Sequence, residues 1–159
     1  MISLRRLDQR DRRAFEASGM LPGPADGLRW HPEYPTENTM IGYRLSLDAG
    51  QPEPDATPWW MYHVVRDGEV VGNIGFHGPP DEHGAVEIGY DIVESLWGQG
   101  IASGACAAII TIARAAGAVV VLAETEPGNL GSQRVLIKNG FRTESPAGDD
   151  PAVRFRLRW

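Results

Sequence analysis

The fold of this chain is decided by one glycine-rich stretch, Glu94-Ser-Leu-Trp-Gly-Gln-Gly-Ile-Ala-Ser-Gly104. Apolar residues alternate with others from Ala85 to Val93, which predicts a strand just before it. The run from Ile101 to Ala116 is almost wholly apolar or small, which predicts a buried helix just after it. Glycines let a backbone approach a ligand closely, and the free N–H groups at a helix start attract anions. The stretch therefore predicts a phosphate or pyrophosphate site, with a plain glycine-rich connection as the alternative.

Outward from this stretch, the chain alternates between strand-like and helix-like segments. Asp-Gly between two apolar runs is a strong hairpin signal, and it occurs at Asp67-Gly68. The continuous apolar run from Val119 to Ala123 is typical of a central strand. Further strands are predicted over 2–7, 59–65, 69–76, 141–143 and 153–159. Further helices are predicted from the cap Asp8 to about Ala17, after the cap Thr36, and after Gly128-Asn129 to about Asn139. This order predicts a mixed sheet with helices on its faces, an α/β or α+β layer structure.

Length and composition predict a single domain over residues 1–159. The chain has a mass of 17.4 kDa, with 42% hydrophobic and 23% charged residues, as ordinary globular proteins have. No stretch approaches the roughly 18 apolar residues of a membrane span, and the N-terminus shows no secretory signal. A single cysteine, Cys106, excludes an internal disulfide. We therefore expect a cytoplasmic protein that does not act at a membrane.

The charge of the chain bears on its partners. The formal net charge of −6 argues against nucleic-acid binding, which usually needs a basic face. Residues 51–100 contain nine acidic residues and a single basic one, Arg66. Such a segment suits a cationic partner, and a solvated acidic surface is an equally good interpretation.

One interpretation of the glycine-rich stretch is a dinucleotide fingerprint. Gly98, Gly100 and Gly104 have nearly its spacing, and Glu124 follows the next predicted strand, where a ribose-binding acid would lie. In that fingerprint, however, the first glycine follows the strand almost directly, whereas Val93 to Trp97 intervene here. About 55 residues remain after Gly104, too few for the further βα units that such a fold requires. This interpretation is therefore the weaker one.

Two segments carry a family resemblance. Residues Trp97 to Ala102 read W-G-Q-G-I-A, and residues 129–141 read N-L-G-S-Q-R-V-L-I-K-N-G-F. The pair resembles the GNAT superfamily of acetyl-CoA-dependent N-acetyltransferases, which carries R/Q-x-x-G-x-G/A and N-x-x-S-x-x-V-L-x-K-x-G-F. The first segment matches the glycine and the alanine but not the R/Q. The E-I-G-Y at 87–90 is similar to the branch that acetylates the N-termini of ribosomal proteins.

This resemblance implies a fold and a co-substrate. The GNAT fold is a mixed, mostly antiparallel sheet of about six to seven strands flanked by about four helices. The co-substrate would be acetyl-CoA, with pantetheine along the backbone of Ile92 and Val93 and the Val93 amide as a candidate oxyanion donor. The pyrophosphate would rest on loop amides, because Trp97 cannot donate the charge-assisted bonds of an arginine. The residues expected to bind the cofactor are Ile92, Val93, Trp97, Gly98, Gln99, Gly100, Ile101, Ala102, Ser103, Asn129 and Ser132.

Glu87 is the candidate catalytic base, acting directly or through a water. It lies on the predicted central strand, on the face opposite Val86 and Ile88, where partial burial would raise its pKa. Glu124 and Glu126, at the end of the next strand, are second candidates. The alternative for Glu87 is an ordinary strand carboxylate bound to a neighbour. The alternative for Glu124 and Glu126 is an acidic rim that only attracts cations.

The candidate for protonating the departing thiolate is Ser132. Many members of the superfamily use a tyrosine seven residues after the asparagine, but that position is Leu136 here. A serine at a helix start that bonds the backbone is the alternative for Ser132. The sequence does not place Tyr90 or Tyr62 at the sulfur.

The resemblance implies an N-acetyltransferase that moves an acetyl group to a primary amine by direct transfer. At pH 7.4 about a fifth of an α-amine is neutral, against about 0.1% of a lysine amine, which favours peptide N-termini and small amines. We expect a cationic, amine-bearing acceptor, and no metal, because the four histidines lack ligand spacing. The chain would be a monomer or a homodimer, and acceptor choice would come from the loops 19–35, 50–58 and 78–84. A catalytically silent acyl-CoA-binding module is the alternative.

Overall fold

The computed structural model of the protein describes residues 1–23, 25–48, 53–146 and 148–159. Its strands are β1 Ile2–Arg6, β2 Arg29–Trp30, β3 Met61–Arg66, β4 Glu69–Phe76, β5 Ala85–Ile92, β6 Val120–Thr125, β7 Arg142–Thr143 and β8 Val153–Arg158. Its α-helices are α1 Gln9–Ser18, α2 Glu37–Asp48, α3 Ile101–Ala115 and α4 Leu130–Lys138. Each predicted strand and helix has a counterpart here, and β2 is an addition within the predicted loop 19–35.

The strands form one sheet in the order β1-β3-β4-β5-β6-β8-β7, with β2 beside β4. Two strand pairs, β5–β6 and β2–β4, are parallel, and the other neighbouring pairs are antiparallel. The expected mixed, mostly antiparallel sheet is therefore confirmed. A dinucleotide-binding fold needs a doubly wound parallel sheet. The dinucleotide interpretation of the glycine-rich stretch is wrong.

Local chemistry explains where several elements begin and end. Asp67 and Gly68 have φ angles of +49° and +78°, the left-handed pair that a two-residue hairpin turn requires between β3 and β4. At the start of α1, the Asp8 side chain accepts from the Asp11 amide at 3.0 Å, and Asp11 accepts from the Asp8 amide at 2.9 Å. This reciprocal capping box satisfies two backbone donors that the helix itself leaves without partners.

Two apolar clusters cover opposite faces of the sheet. On one face, Cys106 and Ile109 of α3 are fully buried against strand residues such as Ile88. On the other face, Phe15 of α1 and Tyr43 of α2 pack in a cluster with Met61 of β3. The residues of β5 on this second face, Ala85, Glu87, Gly89 and Asp91, are only partly buried. β5 therefore has one face under α3 and one that remains open to a ligand.

Within the described ranges, no helix is both long enough and apolar enough to cross a membrane.

Candidate active site

A gap opens in the middle of the sheet, between β5 and β6. The two strands pair from Ala85–Val120 to Ile88–Ala123 and then separate, although β5 runs on to Ile92. Backbone groups of alternate residues on a strand point to opposite neighbours. The Val93 amide and the Glu87 carbonyl both bond β4 or its extension, at 3.0 and 2.9 Å. The amides of Tyr90 and Ile92 therefore point the other way, into the gap.

The expected oxyanion donor must be corrected. The Val93 amide donates to the carbonyl of Val71 at 3.0 Å, so it is not free to bond a thioester oxygen. The Ile92 amide, one residue earlier, points into the gap, as the Val93 amide was expected to do. The Ile92 carbonyl is occupied, since it accepts from the indole N–H of Trp97 at 2.7 Å. The backbone amides that face the gap are thus those of Tyr90 and Ile92, and the Val93 amide is not among them.

The glycine-rich loop lies at the end of this gap. Gly98 and Gly100 have φ angles of +77° and +79°, and Gly100 is the residue that caps α3. The first bond within α3 runs from the Gly104 amide to the Gly100 carbonyl at 3.0 Å. The amides of Ile101, Ala102 and Ser103 therefore lack partners within the helix, as the predicted anion site requires.

Arg66 lies beside this loop, although it was not among the residues predicted to form the site. Its Nη1 donates to the Gln99 side-chain oxygen at 2.6 Å. Trp97, in the position of the family's R/Q, is 63% exposed and offers the loop no charge. The guanidinium at the end of β3 supplies that charge from 33 residues away. In the sequence, Arg66 is distinguished only by being the single basic residue in 51–100.

The start of α4 brings Ser132 close to β5. Asn129 caps the helix by accepting from the Ser132 amide at 3.1 Å. The Tyr90 hydroxyl donates to the Ser132 carbonyl at 3.1 Å, and burial raises the pKa of Tyr90 to about 12. Ser103 is tied to α4 through Asn139, whose side chain donates to it at 3.3 Å. Two hydroxyl groups, those of Ser132 and Tyr90, are thus placed in this region.

Leu136, in the position of the usual tyrosine, is fully buried. Its side chain packs in the core beneath α4, so this position offers no acid. Ser132 therefore stays the predicted donor, whereas the Tyr90 hydroxyl already donates to the Ser132 carbonyl.

A cavity of about 330 Å³ lies on the other, open face of β5. Residues of α2, β3, β4 and β5 and the adjoining His77 line it: Asn38, Gly42, Leu45, Ser46, Met61, Asn73, Gly75, Phe76, His77, Gly89, Tyr90 and Asp91. These lining residues come from none of the three loops that were expected to choose the acceptor. Residues 24 and 50–52 of those loops lie outside the described residues.

Three successive cross-strand pairs form the floor of this pocket. Gly75 faces Gly89, and Asn73 faces Asp91. His77, whose amide bonds the Glu87 carbonyl, continues the same register. Because neither glycine carries a side chain, bare backbone separates the imidazole end of the floor from the Asp91 end.

His77 and Glu87 form a pair at one end of the floor. The His77 Nδ1 lies 3.4 Å from the Glu87 Oε1. A hydrogen bond from His77 lowers the pKa of Glu87, against the opposing effect of burial. The expected net rise in the pKa of Glu87 is therefore wrong, because the hydrogen bond from His77 outweighs the effect of burial. Glu87 is not among the residues that line the pocket, whereas His77 is.

His77 lies directly over Gly89. A Cβ atom at Gly89 would come within 2.7 Å of the His77 Nε2. The imidazole thus occupies the space that any other residue at 89 would fill. The sequence did not mark His77 as a partner of Glu87, because their pairing depends on the strand register.

Asp91 lies at the other end of the floor. Its carboxylate accepts a hydrogen bond from the Thr36 hydroxyl, just before α2. Burial raises the pKa of Asp91, although its hydrogen bonds to Thr36 and Asn38 act against this. Asn73, its cross-strand partner, donates to the Thr39 hydroxyl at 2.9 Å. Asp91 was not singled out from the sequence, and no signal there distinguished it from other strand carboxylates.

The second candidate bases lie away from this pocket. Glu124 pairs with Arg154, whose Nε is 2.9 Å from its Oε1. Glu126 is exposed after the end of β6. Neither residue lines the pocket. Among the described residues, no group of three or more His, Cys, Asp or Glu side chains is placed to hold a metal ion.

Comparisons with known sequences agree with this architecture. The uncharacterized N-acetyltransferase YoaA of Bacillus subtilis (strain 168) is 35% identical over 77 residues, 48% of this chain and 44% of that protein. The uncharacterized N-acetyltransferase YjdG of the same organism is 40% identical over 83 residues, 52% of this chain and 49% of that protein. The chain thus matches about half the length of these curated relatives.

Solved structures extend the similarity to the whole chain. Mycobacterium smegmatis RimJ in complex with CoA-disulfide has a TM-score of 0.64 at 22% identity, covering 99% of this chain and 81% of that one. RimL, a ribosomal L7/L12 α-N-protein acetyltransferase, has a TM-score of 0.63 at 21% identity, covering 99% of this chain and 92% of that one. At these identities the likeness shows the fold, and both proteins bear names of the branch that residues 87–90 resemble.

A family model described as an acetyltransferase (GNAT) domain matches residues 2–142. That match includes β1 to β6, all four described α-helices, the glycine-rich loop and the pocket. The chain belongs to the GNAT acetyltransferase family.

Proposed function

We propose that this protein transfers an acetyl group from acetyl-CoA to a primary amine on a peptide N-terminus or a small molecule, by direct transfer. The observation that carries the proposal is the position of β5. Along one edge it borders a gap that ends at the loop of Gly98 and Gly100, and its open face forms the floor of a pocket. A thioester in the gap and an amine in the pocket would meet at the same strand.

The residues beside the gap suit the parts of acetyl-CoA. Pantetheine contains amide groups, and the backbone of Tyr90 and Ile92 would pair with them as a neighbouring strand does. The free amides at the start of α3 would bind the pyrophosphate, with Arg66 as the charged partner that Trp97 cannot be. Bound acetyl-CoA would supply the activated acetyl carbon that the amine attacks.

The residues around β5 have separate tasks in this proposal. His77, held by Glu87, would accept the proton that the amine loses. The Tyr90 amide, which points into the gap next to Gly89, would stabilise the negative charge that develops on the acetyl oxygen. Ser132 or Tyr90, near the start of α4, would donate a proton or hydrogen bond to the departing thiolate. Glu87 then acts through His77, and direct action by Glu87 is the alternative.

A thermal-shift titration with acetyl-CoA, CoA and NADPH tests the cofactor. A ligand at about 100 times its Kd adds roughly 2.7 kcal/mol to the free energy of unfolding. For a chain of this size, that corresponds to a rise of about 5–11 °C in Tm. We expect a rise with acetyl-CoA and CoA and none with NADPH. A folded sample that shows no rise with acetyl-CoA would overturn the proposal.

Release of free thiol from acetyl-CoA, measured over a panel of peptide N-termini and small amines, tests the transfer. Thiol release that depends on the amine, with an acetylated product seen by mass spectrometry, is the expected result. Binding of acetyl-CoA without acetylation of any amine would instead identify the protein as a catalytically silent acyl-CoA-binding module. Omission of the amine controls for simple hydrolysis of the thioester.

A further inference from the structure

The pocket on the open face of β5 has an uneven charge. Of the residues that line it, all within the described ranges, none is a lysine or an arginine. Asp91 is the one carboxylate among them, and Glu87 stands just beyond the lining, next to His77. A carboxylate on an acceptor would therefore meet negative charge in this pocket and find no lysine or arginine to neutralise it.

Asp91 lacks a cationic partner of its own. Among the described residues, none of the ion pairs includes Asp91. Its hydrogen bond from Thr36 holds the carboxylate in place but does not cancel its charge. A partly buried carboxylate without a counter-charge is costly, and a bound cation would offset that cost.

The His77 imidazole, which lies over Gly89, and the Asp91 carboxylate are separated by a fixed distance. Gly89 and Asp91 are two residues apart on β5, which is about 7 Å along an extended strand. The reacting amine would lie beside this imidazole and next to the gap. A second group on the same acceptor, a few bonds away, would then reach the Asp91 carboxylate.

We propose that the acceptor carries a second cationic group, which Asp91 binds while the first amine is acetylated beside His77. This inference rests on the proposed function and specifies its substrate class as small linear diamines and their relatives. It excludes acceptors that carry a free carboxylate at that distance from the amine.

A matched series of acceptors tests this class. 1,4-Diaminobutane, 4-amino-1-butanol and 4-aminobutyrate have the same chain length and end in a cation, a neutral hydroxyl and an anion. Their kcat/KM values are compared at one pH, each corrected for the neutral fraction of the reacting amine. We expect the diamine to exceed the alcohol by about tenfold or more, the effect of one hydrogen-bonded charge. The acid should be the poorest substrate.

Two variants locate the origin of this preference. Asp91→Asn keeps the shape and the bond from Thr36 but removes the charge, so the ratio of diamine to alcohol should fall toward one. Glu82→Gln removes an exposed charge outside the pocket, and this control should leave the ratio as in the parent protein. Acetyl-CoA thermal shifts on both variants show that each is folded and binds the cofactor.

Failure of this inference differs from failure of the proposed function. If the parent protein acetylates other amines but shows no order among the three, or if Asp91→Asn leaves the order intact, the inference is overturned. If no amine of any kind yields free thiol, the proposed function fails and this inference fails with it.

Discussion

At the scale of single residues, the pair His77 and Glu87 shows what strand register adds to a sequence. Glu87 was expected to be the base because it faces away from Val86 and Ile88, and that facing is confirmed by their burial. Its partner was unpredictable, because His77 reaches it only through the pairing of β4 with β5. The pairing lowers the pKa of Glu87, which favours the carboxylate as an anchor for His77 over a direct base.

Removing His77 should slow transfer without affecting cofactor binding. A positioned general base contributes about 100- to 10,000-fold, so we expect His77→Gln to lower kcat by that order. Glu87→Gln should lower kcat less, because the ring loses the carboxylate that holds it in place, and Glu87→Asp should restore part of the rate. The checks are kcat and the acetyl-CoA thermal shift. A Glu87→Gln variant with the kcat of the parent protein, or a Glu87→Asp variant with no recovered rate, would contradict the positioning role.

Removing Arg66 should weaken CoA binding. A lost hydrogen bond to a charged group is worth about 1.5–3 kcal/mol, so Arg66→Gln should raise the Kd for CoA by about tenfold or more. Titration calorimetry measures this, and Arg142→Gln, an exposed arginine on β7, is the matched control for charge. An equal loss with CoA lacking its 3′-phosphate would assign Arg66 to the pyrophosphate. An unchanged Kd for CoA would show that Arg66 only holds the Gln99 side chain in place and does not contribute to CoA binding.

At the scale of elements, local turn and cap chemistry could be predicted, whereas the long-range features could not. The hairpin at Asp67-Gly68 and the apolar helix α3 follow from signals within a few residues. The gap beside β5 and the glycine pair of the floor depend on which strands become neighbours. Ile92 and Val93 were assigned to the gap through the family resemblance, and only the register decided which amide faces it.

Two glycines of the central strands should respond differently to a methyl group. In Gly89→Ala, the new Cβ would meet the His77 Nε2 at 2.7 Å, and that flexible side chain can swing away. We expect a change in the free energy of unfolding within about 0.5 kcal/mol but a loss of activity as large as that of His77→Gln.

Gly72→Ala is the contrasting variant. Its Cβ would lie 2.3 Å from the Asp91 carbonyl oxygen, which is backbone and cannot swing away. We expect a destabilisation of about 1–3 kcal/mol, measured by urea unfolding.

For Gly89→Ala, full activity together with full stability would contradict the prediction. It would show that activity does not require the position of His77 over Gly89.

At the scale of the whole molecule, the stability should depend on pH through His63. This residue is 2% exposed, its Nδ1 lies 2.7 Å from the Tyr34 hydroxyl, and burial lowers its pKa to about 3. In the unfolded chain a histidine takes up a proton below about pH 6.5. The unfolded state therefore binds more protons between about pH 6.5 and 3. Stability should fall in that window as the pH falls, by about 1.4 kcal/mol per pH unit from this residue.

Urea unfolding of the parent protein and His63→Gln between pH 7 and 4 measures this slope. The variant should lose stability less steeply than the parent protein. An NMR titration of the folded parent protein gives an independent check, because the ring signals of His63 should stay constant down to pH 4. Titration of this ring near pH 6.5 would contradict the prediction.

The family and its general architecture could be inferred from residues 97–102 and 129–141, because backbone geometry at a phosphate loop and a helix cap restricts residue choice. The pocket could not be inferred, because α2 and β4 bring its walls together from distant parts of the chain. The sequence therefore indicates the glycine-rich loop more plainly than it indicates the pocket.

The gap beside β5 makes the centre of this sheet behave as a sheet edge. Strand amides that lack a partner exchange their hydrogens with heavy water quickly, whereas paired ones are protected. The amides of Tyr90 and Ile92 should therefore exchange rapidly in the free protein, between the protected amides of Asp91 and Val93 that bond β4. Addition of CoA should slow the first two and leave the second two unchanged. Such an alternating pattern would report a ligand that completes the sheet as a missing strand.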